Sequence, residues 1–186
     1  MCIVYHNKNN KNIFIHIPKN SGIHTRINIE RNPENNIIEI FWDTYHNLDF
    51  AHLPYSFMKH YVEDWQSYTY FSHTRNPYHR IISAFIYKTK STDQEDFKEF
   101  VKNKLTTYQF DKKYDASIIH YYPQYLFLIN DDDIVEDHFV ITKVEDKDKP
   151  KYYDLKLYYD KETIDIINNI YEKDFIYFNY EFIHTI

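Results

Sequence analysis

Glycine is almost absent from this chain. Of its 186 residues one is glycine, Gly22, where a globular chain usually spends ~7%. Every other tight turn must therefore be made by residues that carry a Cβ, and Asn, Asp, Pro and Ser are the side chains suited to it. The one glycine sits in His16-Ile17-Pro18-Lys19-Asn20-Ser21-Gly22, directly after a short apolar run. Such a glycine serves a turn that needs φ > 0, or a backbone that must approach something closely. The neighbouring Lys19 points to a phosphate as the thing approached.

The length suits one domain with a full core, residues 1–186, and is short for two. Hydrophobic residues make up 43% and charged residues 27% of the chain, which excludes intrinsic disorder. The excess of Ile, Asn, Lys and Tyr reads as AT-rich coding and says nothing about a site. Net charge is −6, which argues against general affinity for nucleic acid and leaves any bound anion to a local basic site. The single cysteine, Cys2, permits no intrachain disulfide and fits a reducing compartment. No apolar stretch approaches the ~18 residues of a membrane span, and the first residues lack a signal-peptide pattern. The expectation is a soluble, cytoplasmic protein without a membrane partner.

Periodicity and turn residues predict strands over 12–17, 37–42, 68–74 and 139–144. They predict helices over 21–31, 54–64, 77–88, 93–105 and 161–173. Residues 115–129 read as helical, with Pro123 as a kink or break. Residues 43–51 read as loop. Strands alternating with helices indicate an α/β fold, three layers (α/β/α) around a largely parallel sheet.

Two segments carry chemistry. In the first, a strand runs into Lys19 and then into a helix start, which aims backbone N–H groups and a cation at one point. The Walker pattern G-x-x-x-x-G-K-[ST] is absent, because Lys19 precedes Gly22. The second is Arg75-Asn76-Pro77-Tyr78-His79-Arg80-Ile81-Ile82-Ser83-Ala84-Phe85. Asn76 suits an N-cap and Pro77 the first helical position, which fixes Arg75 at a strand end. His79, Arg80 and Ser83 can share one helix face. Arg75 and Ser83 then converge on one group, and a guanidinium with a hydroxyl suits a phosphate monoester.

Together these segments resemble the sulfotransferases that use 3′-phosphoadenosine 5′-phosphosulfate (PAPS), in the branch of carbohydrate sulfotransferases with an H-I-P-K-T-x-G-T-S loop. The first segment is similar to their 5′-phosphosulfate loop, and the second, with R-N-P-x-x-R-x-x-S-A-F intact, to their 3′-phosphate motif. Ala51-His52-Leu53-Pro54-Tyr55 resembles the segment that supplies the family's catalytic base. His120-Tyr121-Tyr122-Pro123-Gln124, Ile141-Thr142-Lys143-Val144-Glu145 and the stretch from Tyr171-Glu172-Lys173-Asp174-Phe175 to Phe178-Asn179-Tyr180 resemble further family segments in the expected order. The resemblance spans residues 12–180. One departure stands out: the family has Gly-Thr-Ser where this chain has Gly22-Ile23-His24, so two hydroxyls are missing. Thr25, Ser21 or Asn20, with backbone N–H groups, stand near enough to compensate, and His24 could itself contact the anion.

The resemblance implies a P-loop NTPase-like sulfotransferase fold and in-line transfer of a sulfonate from PAPS to an acceptor, with PAP as the product. Lys19, Asn20, Ser21, Gly22, Ile23, His24, Thr25, Arg75 and Ser83 would bind the nucleotide. Lys19 would also neutralise the leaving phosphate, with no metal required. His52 would be the general base, since a neutral imidazole suits that task; His46 is the local rival, and His16 supports the loop. The implied partner is a small-molecule or glycan acceptor. Asp131-Asp132-Asp133 reads as a solvated loop, and His60, His73, His138 and His184 as surface or half-buried side chains. Two other readings stay open: a non-catalytic nucleotide-binding descendant of the fold, and a small-molecule kinase.

Overall fold

The computed structural model describes residues 1–8, 10–136, 138–147 and 151–186. In chain order the elements are β1 (Cys2–Asn7), β2 (Asn10–Ile15), α1 (Gly22–Arg31), β3 (Asn35–Phe41), β4 (Thr44–Tyr45), β5 (Leu48–Asp49), α2 (Tyr55–Met58), β6 (Thr69–Thr74), α3 (Pro77–Thr89), α4 (Gln94–Glu99), β7 (Phe139–Lys143), α5 (Leu155–Tyr158), α6 (Lys161–Ile170) and α7 (Glu172–Tyr177). The fold is mixed α/β. Its five-stranded sheet runs in the order β3-β1-β2-β6-β7.

β2, β6 and β7 are parallel neighbours, as alternation of strands and helices requires. The other half of the sheet departs from the expected parallel arrangement. β1 lies between β2 and β3 and is antiparallel to both, so the sheet is mixed. The cause is the apolar run Cys2-Ile3-Val4, fully buried, which pairs with β2 from Ile3–Phe14 down to Asn7–Asn10 as a hairpin. Hairpin partners are antiparallel by construction.

β2 is the central strand, and its Ile13, Phe14 and Ile15 are all buried, the continuous apolar run of a strand covered on both faces. Phe14 packs with Ile3 and with Ile29 of α1. Ile13 and Ile15 face the opposite cluster with Leu53, Tyr55, Met58, Tyr122 and Phe127. A further cluster joins α3, α4, α6 and α7 through Ile81, Phe85, Phe97, Ile164, Ile167 and Phe175.

Several predicted boundaries shift for identifiable reasons. The strand expected over 12–17 ends at Ile15, because the His16 carbonyl turns aside to accept a hydrogen bond from His52. The helix expected over 54–64 is one turn, Tyr55–Met58, followed by bends and by Asp64 at φ 51°. Residues 115–129 form two short 3-10 turns, Ile119–Tyr121 and Gln124–Phe127. Pro123 has no N–H, and the next two amides, of Gln124 and Tyr125, donate to the Asp174 carboxylate at 2.8 Å each instead of to a helix.

Near-absence of glycine leaves its mark on the backbone. Eleven non-glycine residues among those described have positive φ, including Lys19 at 68° and Ser21 at 63°. Gly22 itself does not. The unusual turn is made by the residues before the glycine. Gly22 is instead a place of close approach, since a Cβ there would lie 1.8 Å from the His16 imidazole.

Candidate functional site

Parallel pairing of β2, β6 and β7 brings the loops that follow them to one end of the sheet, where open α/β sheets place their ligands. Lys19 to Ser21 follow β2, Arg75 and Asn76 follow β6, and Val144 to Asp146 follow β7. A polar hub locks these loops together. The buried Gln124 accepts from the Asn20 side chain at 2.8 Å and from the Arg75 amide at 2.9 Å. Its own amide donates to the Arg75 carbonyl at 2.9 Å and to Asp174 at 3.3 Å. Asn20 also donates to the His73 carbonyl at 2.6 Å. Glu145 accepts from the Asn76 amide at 2.8 Å and from the Tyr180 hydroxyl at 3.1 Å. Burial raises the Asp174 carboxyl to about 6.

Arg80, read as sharing a helix face with His79 and Ser83, is fully buried. Its Nε donates to the Pro18 carbonyl at 3.1 Å and its Nη2 to the His120 carbonyl at 3.3 Å. It ties α3 to the loop beneath Lys19 and to the segment carrying Gln124. Arg80 is the second arginine of the R-N-P-x-x-R-x-x-S-A-F segment, but its buried tie between two loops has no signature in the sequence. A lone Gln has no spacing signature either, and only the family-like H-x-x-P-Q segment marked Gln124.

A cavity of about 300 Å³ opens above this hub, and Lys19, Ser21, Gly22, Ile23, His52, Arg75 and Ser83 all line it, with His16, Tyr87 and His120. No carboxylate among the described residues does. Burial, and then the charge of Arg75, lower the Lys19 ammonium to about 8. Its Nζ lies 4.1 Å from the centre of the Tyr87 ring, a cation–π arrangement. Arg75 is 6% exposed and donates to the Lys19 carbonyl at 3.4 Å and to the Lys151 carbonyl. Ser21 caps α1 without a side-chain hydrogen bond, which leaves first-turn amides available. A cation, a guanidinium, a hydroxyl and free amides, with no carboxylate among the described residues, are a set of groups that can hold an anion.

Three predicted binding residues lie elsewhere. Asn20 is buried in the hub. His24 and Thr25 line a separate cleft of about 980 Å³ on the other side of Ser21, along with His73, Lys147 and Lys151. Thr25 donates to the Ser21 carbonyl at 3.3 Å and accepts from Lys147 at 3.4 Å. Of the side chains that could replace the missing hydroxyls, Ser21 alone reaches the Lys19 cavity.

Three imidazoles form the wall beside it. His52 lies 4.4 Å from His16 and 5.3 Å from His120, ring centre to ring centre. The His52 Nδ1 contacts the His16 carbonyl at 2.9 Å. A carbonyl only accepts, so Nδ1 carries the proton and Nε2 bears the lone pair. Burial pushes His52 and His16 well below the ordinary histidine range, and His120 down to about 3. All three are neutral at pH 7. His46 is exposed in the β4–β5 turn and lines neither the Lys19 cavity nor the neighbouring one.

Asp131, Asp132 and Asp133 are exposed, with Lys59 and Lys112 paired to the first and third. No group of three or more His, Cys, Asp or Glu that could hold a metal ion occurs among the described residues. No helix among them is long and apolar enough to cross a membrane. No protein-family model, curated protein or solved structure matches the chain.

Proposed function

We propose that this protein is a PAPS-dependent sulfotransferase on a P-loop-like α/β scaffold, transferring a sulfonate to an acceptor hydroxyl. The observation that carries the reading is the convergence of Lys19 and Arg75, from two loops 56 residues apart, and of Ser83 from α3, on one cavity that His52 also lines and that no carboxylate among the described residues enters. A donor with phosphates at two ends fits that set: Lys19 and the α1 amides suit one anion, Arg75 and Ser83 the other. The larger cleft that shares Ser21 offers room for a nucleoside.

PAPS supplies a sulfonate already attached to a phosphate leaving group. The residues around it have defined tasks. His52 Nε2 takes the proton of the acceptor hydroxyl as its oxygen bonds to sulfur. Lys19 neutralises the charge that grows on the departing phosphate as the sulfur–oxygen bond breaks. Gln124 and Arg80 hold both loops in place, and such positioning is a main source of rate in group transfer.

The test is thermal stabilisation by PAP without magnesium. A rise in Tm that Arg75→Ala abolishes is the expected result. Stabilisation by Mg-ATP and none by PAP would move the protein to the kinase reading. PAP binding without turnover over a broad acceptor panel would leave a nucleotide-binding module.

A further inference from the structure

A second cavity, of about 400 Å³, adjoins the first and shares with it His16, Gly22, Ile23, His52, Tyr87 and His120. Its remaining wall includes Arg26, Trp42, Asp43, Thr44 and Asp49. His52 is only 7% exposed, and its Nε2 has no hydrogen-bond partner among the described residues. That free lone pair sits on the wall common to both cavities.

The outer wall has the chemistry of a ring-binding shelf. The Trp42 side chain is 65% exposed, a large indole left uncovered beside an enclosed base. Next to it Asp43 is held at φ 94°, a conformation costly for any residue but glycine. The Phe50 amide fixes it by donating to the Asp43 carbonyl at 2.9 Å, and the Asp43 side chain accepts from the Thr44 amide at 2.9 Å. Asp49 accepts from the Ala51 amide at 2.9 Å, and burial raises its carboxyl above the usual range. Each carboxylate has acceptor capacity to spare, and neither is in an ion pair among the described residues. Two groups that can carry positive charge share this wall: Arg26 leans toward Glu30 at 3.9 Å, and burial lowers the Met1 amino group to about 6, so that it is largely uncharged at pH 7.

An indole face flanked by two under-used carboxylates suits a ring with one apolar face and hydroxyls at its edge. The same carboxylates repel a negative charge. We infer that this cavity is an acceptor subsite for an uncharged or amine-bearing polyhydroxylated ring, stacked on Trp42 with hydroxyls on Asp43 and Asp49, and that it excludes anionic sugars. The word acceptor rests on the sulfotransferase reading; binding and charge selection do not.

The experiment titrates glucose, glucosamine and glucuronate against tryptophan fluorescence in Trp65→Phe, which leaves Trp42 as the sole indole. One ring with three charges isolates the electrostatic contribution. Glucose and glucosamine should perturb Trp42, with glucuronate at least ~10-fold weaker, about 1.4 kcal/mol. The double variant Asp43→Asn, Asp49→Asn keeps both side-chain acceptors for the Thr44 and Ala51 amides and should narrow the gap to ~3-fold or less. Glucuronate binding as well as glucose, or no response to any of the three sugars, overturns the inference. PAP stabilisation measured on the same samples separates the two claims. Sugar binding without PAP binding sinks the sulfotransferase reading and leaves this site; PAP binding without sugar binding does the reverse.

Discussion

Gly22→Ala sets two well-known effects against each other, and the structure decides the sign. Gly22 is the first residue of α1 and has no positive φ, so alanine gains up to ~1 kcal/mol in helix propensity. Against this, the new methyl would lie 1.8 Å from the His16 ring, which must retreat by about 1.6 Å to reach ordinary contact at 3.4 Å. That ring has nowhere to go. His16 is buried, stacks on Phe14, packs against His52 and accepts from the Met1 backbone nitrogen. Overpacking of this kind costs ~1–3 kcal/mol, and losing the hydrogen bond adds ~1 kcal/mol. The net expectation is destabilisation by ~1–3 kcal/mol, at roughly 2–4 °C in Tm per kcal/mol for a chain of this size. Urea melts of Gly22→Ala, His16→Ala and the double variant measure it. In the His16→Ala background the methyl has room, so Gly22→Ala should become neutral or stabilising, with a coupling of at least ~1 kcal/mol between the sites. A Gly22→Ala protein more stable than wild type, or an equal cost in both backgrounds, would refute the close-approach argument.

Gln124→Leu removes four hydrogen bonds at once and leaves Asn20, both backbone groups of Arg75 and Asp174 short of partners. At ~1 kcal/mol each it should cost ~3–5 kcal/mol in a denaturant melt, and PAP should no longer raise Tm even where the variant is folded. Tyr87 holds Lys19 by its ring face, so Tyr87→Phe should keep PAP affinity within ~2-fold. Tyr87→Leu should lose ~0.5–2 kcal/mol, read by calorimetry. Lys19 sheds its proton near pH 8 in the unliganded protein, and the protonated form is the one that attracts an anion. PAP affinity should therefore fall as pH rises through about 8, and Lys19→Arg should flatten that fall up to pH 10, because guanidinium keeps its proton.

Much of the fold was legible because its signals are local. The parallel half of the sheet follows from short apolar runs alternating with amphipathic segments, and α1 and α3 begin where a turn or an Asn-Pro pair starts them. β1 escaped notice because four apolar or aromatic residues, Cys2 to Tyr5, are too few to separate from a disordered start by periodicity alone. It is their pairing on both sides, with β2 and β3, that makes them a strand. Residues 115–129 misled in the opposite sense. Their apolar spacing resembles a helix, yet the amides at 124 and 125 are claimed by Asp174, a carboxylate 50 residues downstream. Long-range capture of a backbone donor leaves no trace in a local window.

The site divides along the same line. That Lys19, Arg75 and Ser83 meet at one cavity was readable because a cation at a strand end and a hydroxyl on the following helix are positional statements, and position is what strand and helix periods encode. Asn20, His24 and Thr25 were read as stand-ins for the hydroxyls missing after Gly22, and none of the three lines the Lys19 cavity. Lys19 and Ser21 both adopt left-handed backbone, so the chain reverses its facing twice in three residues. Asn20 turns into the hub, and His24 and Thr25 emerge over a different cleft. The tight packing of Gly22 on His16 fixes where that reversal ends. With a Cβ at 22 the ring could not lie there, and the His16 carbonyl that orients His52 is part of the same residue. One missing side chain thus couples the Lys19 loop to the tautomer of the imidazole opposite it. That coupling yields a sharper expectation than the loop pattern alone: what disturbs Gly22 should disturb the tautomer of His52 before it disturbs the sheet.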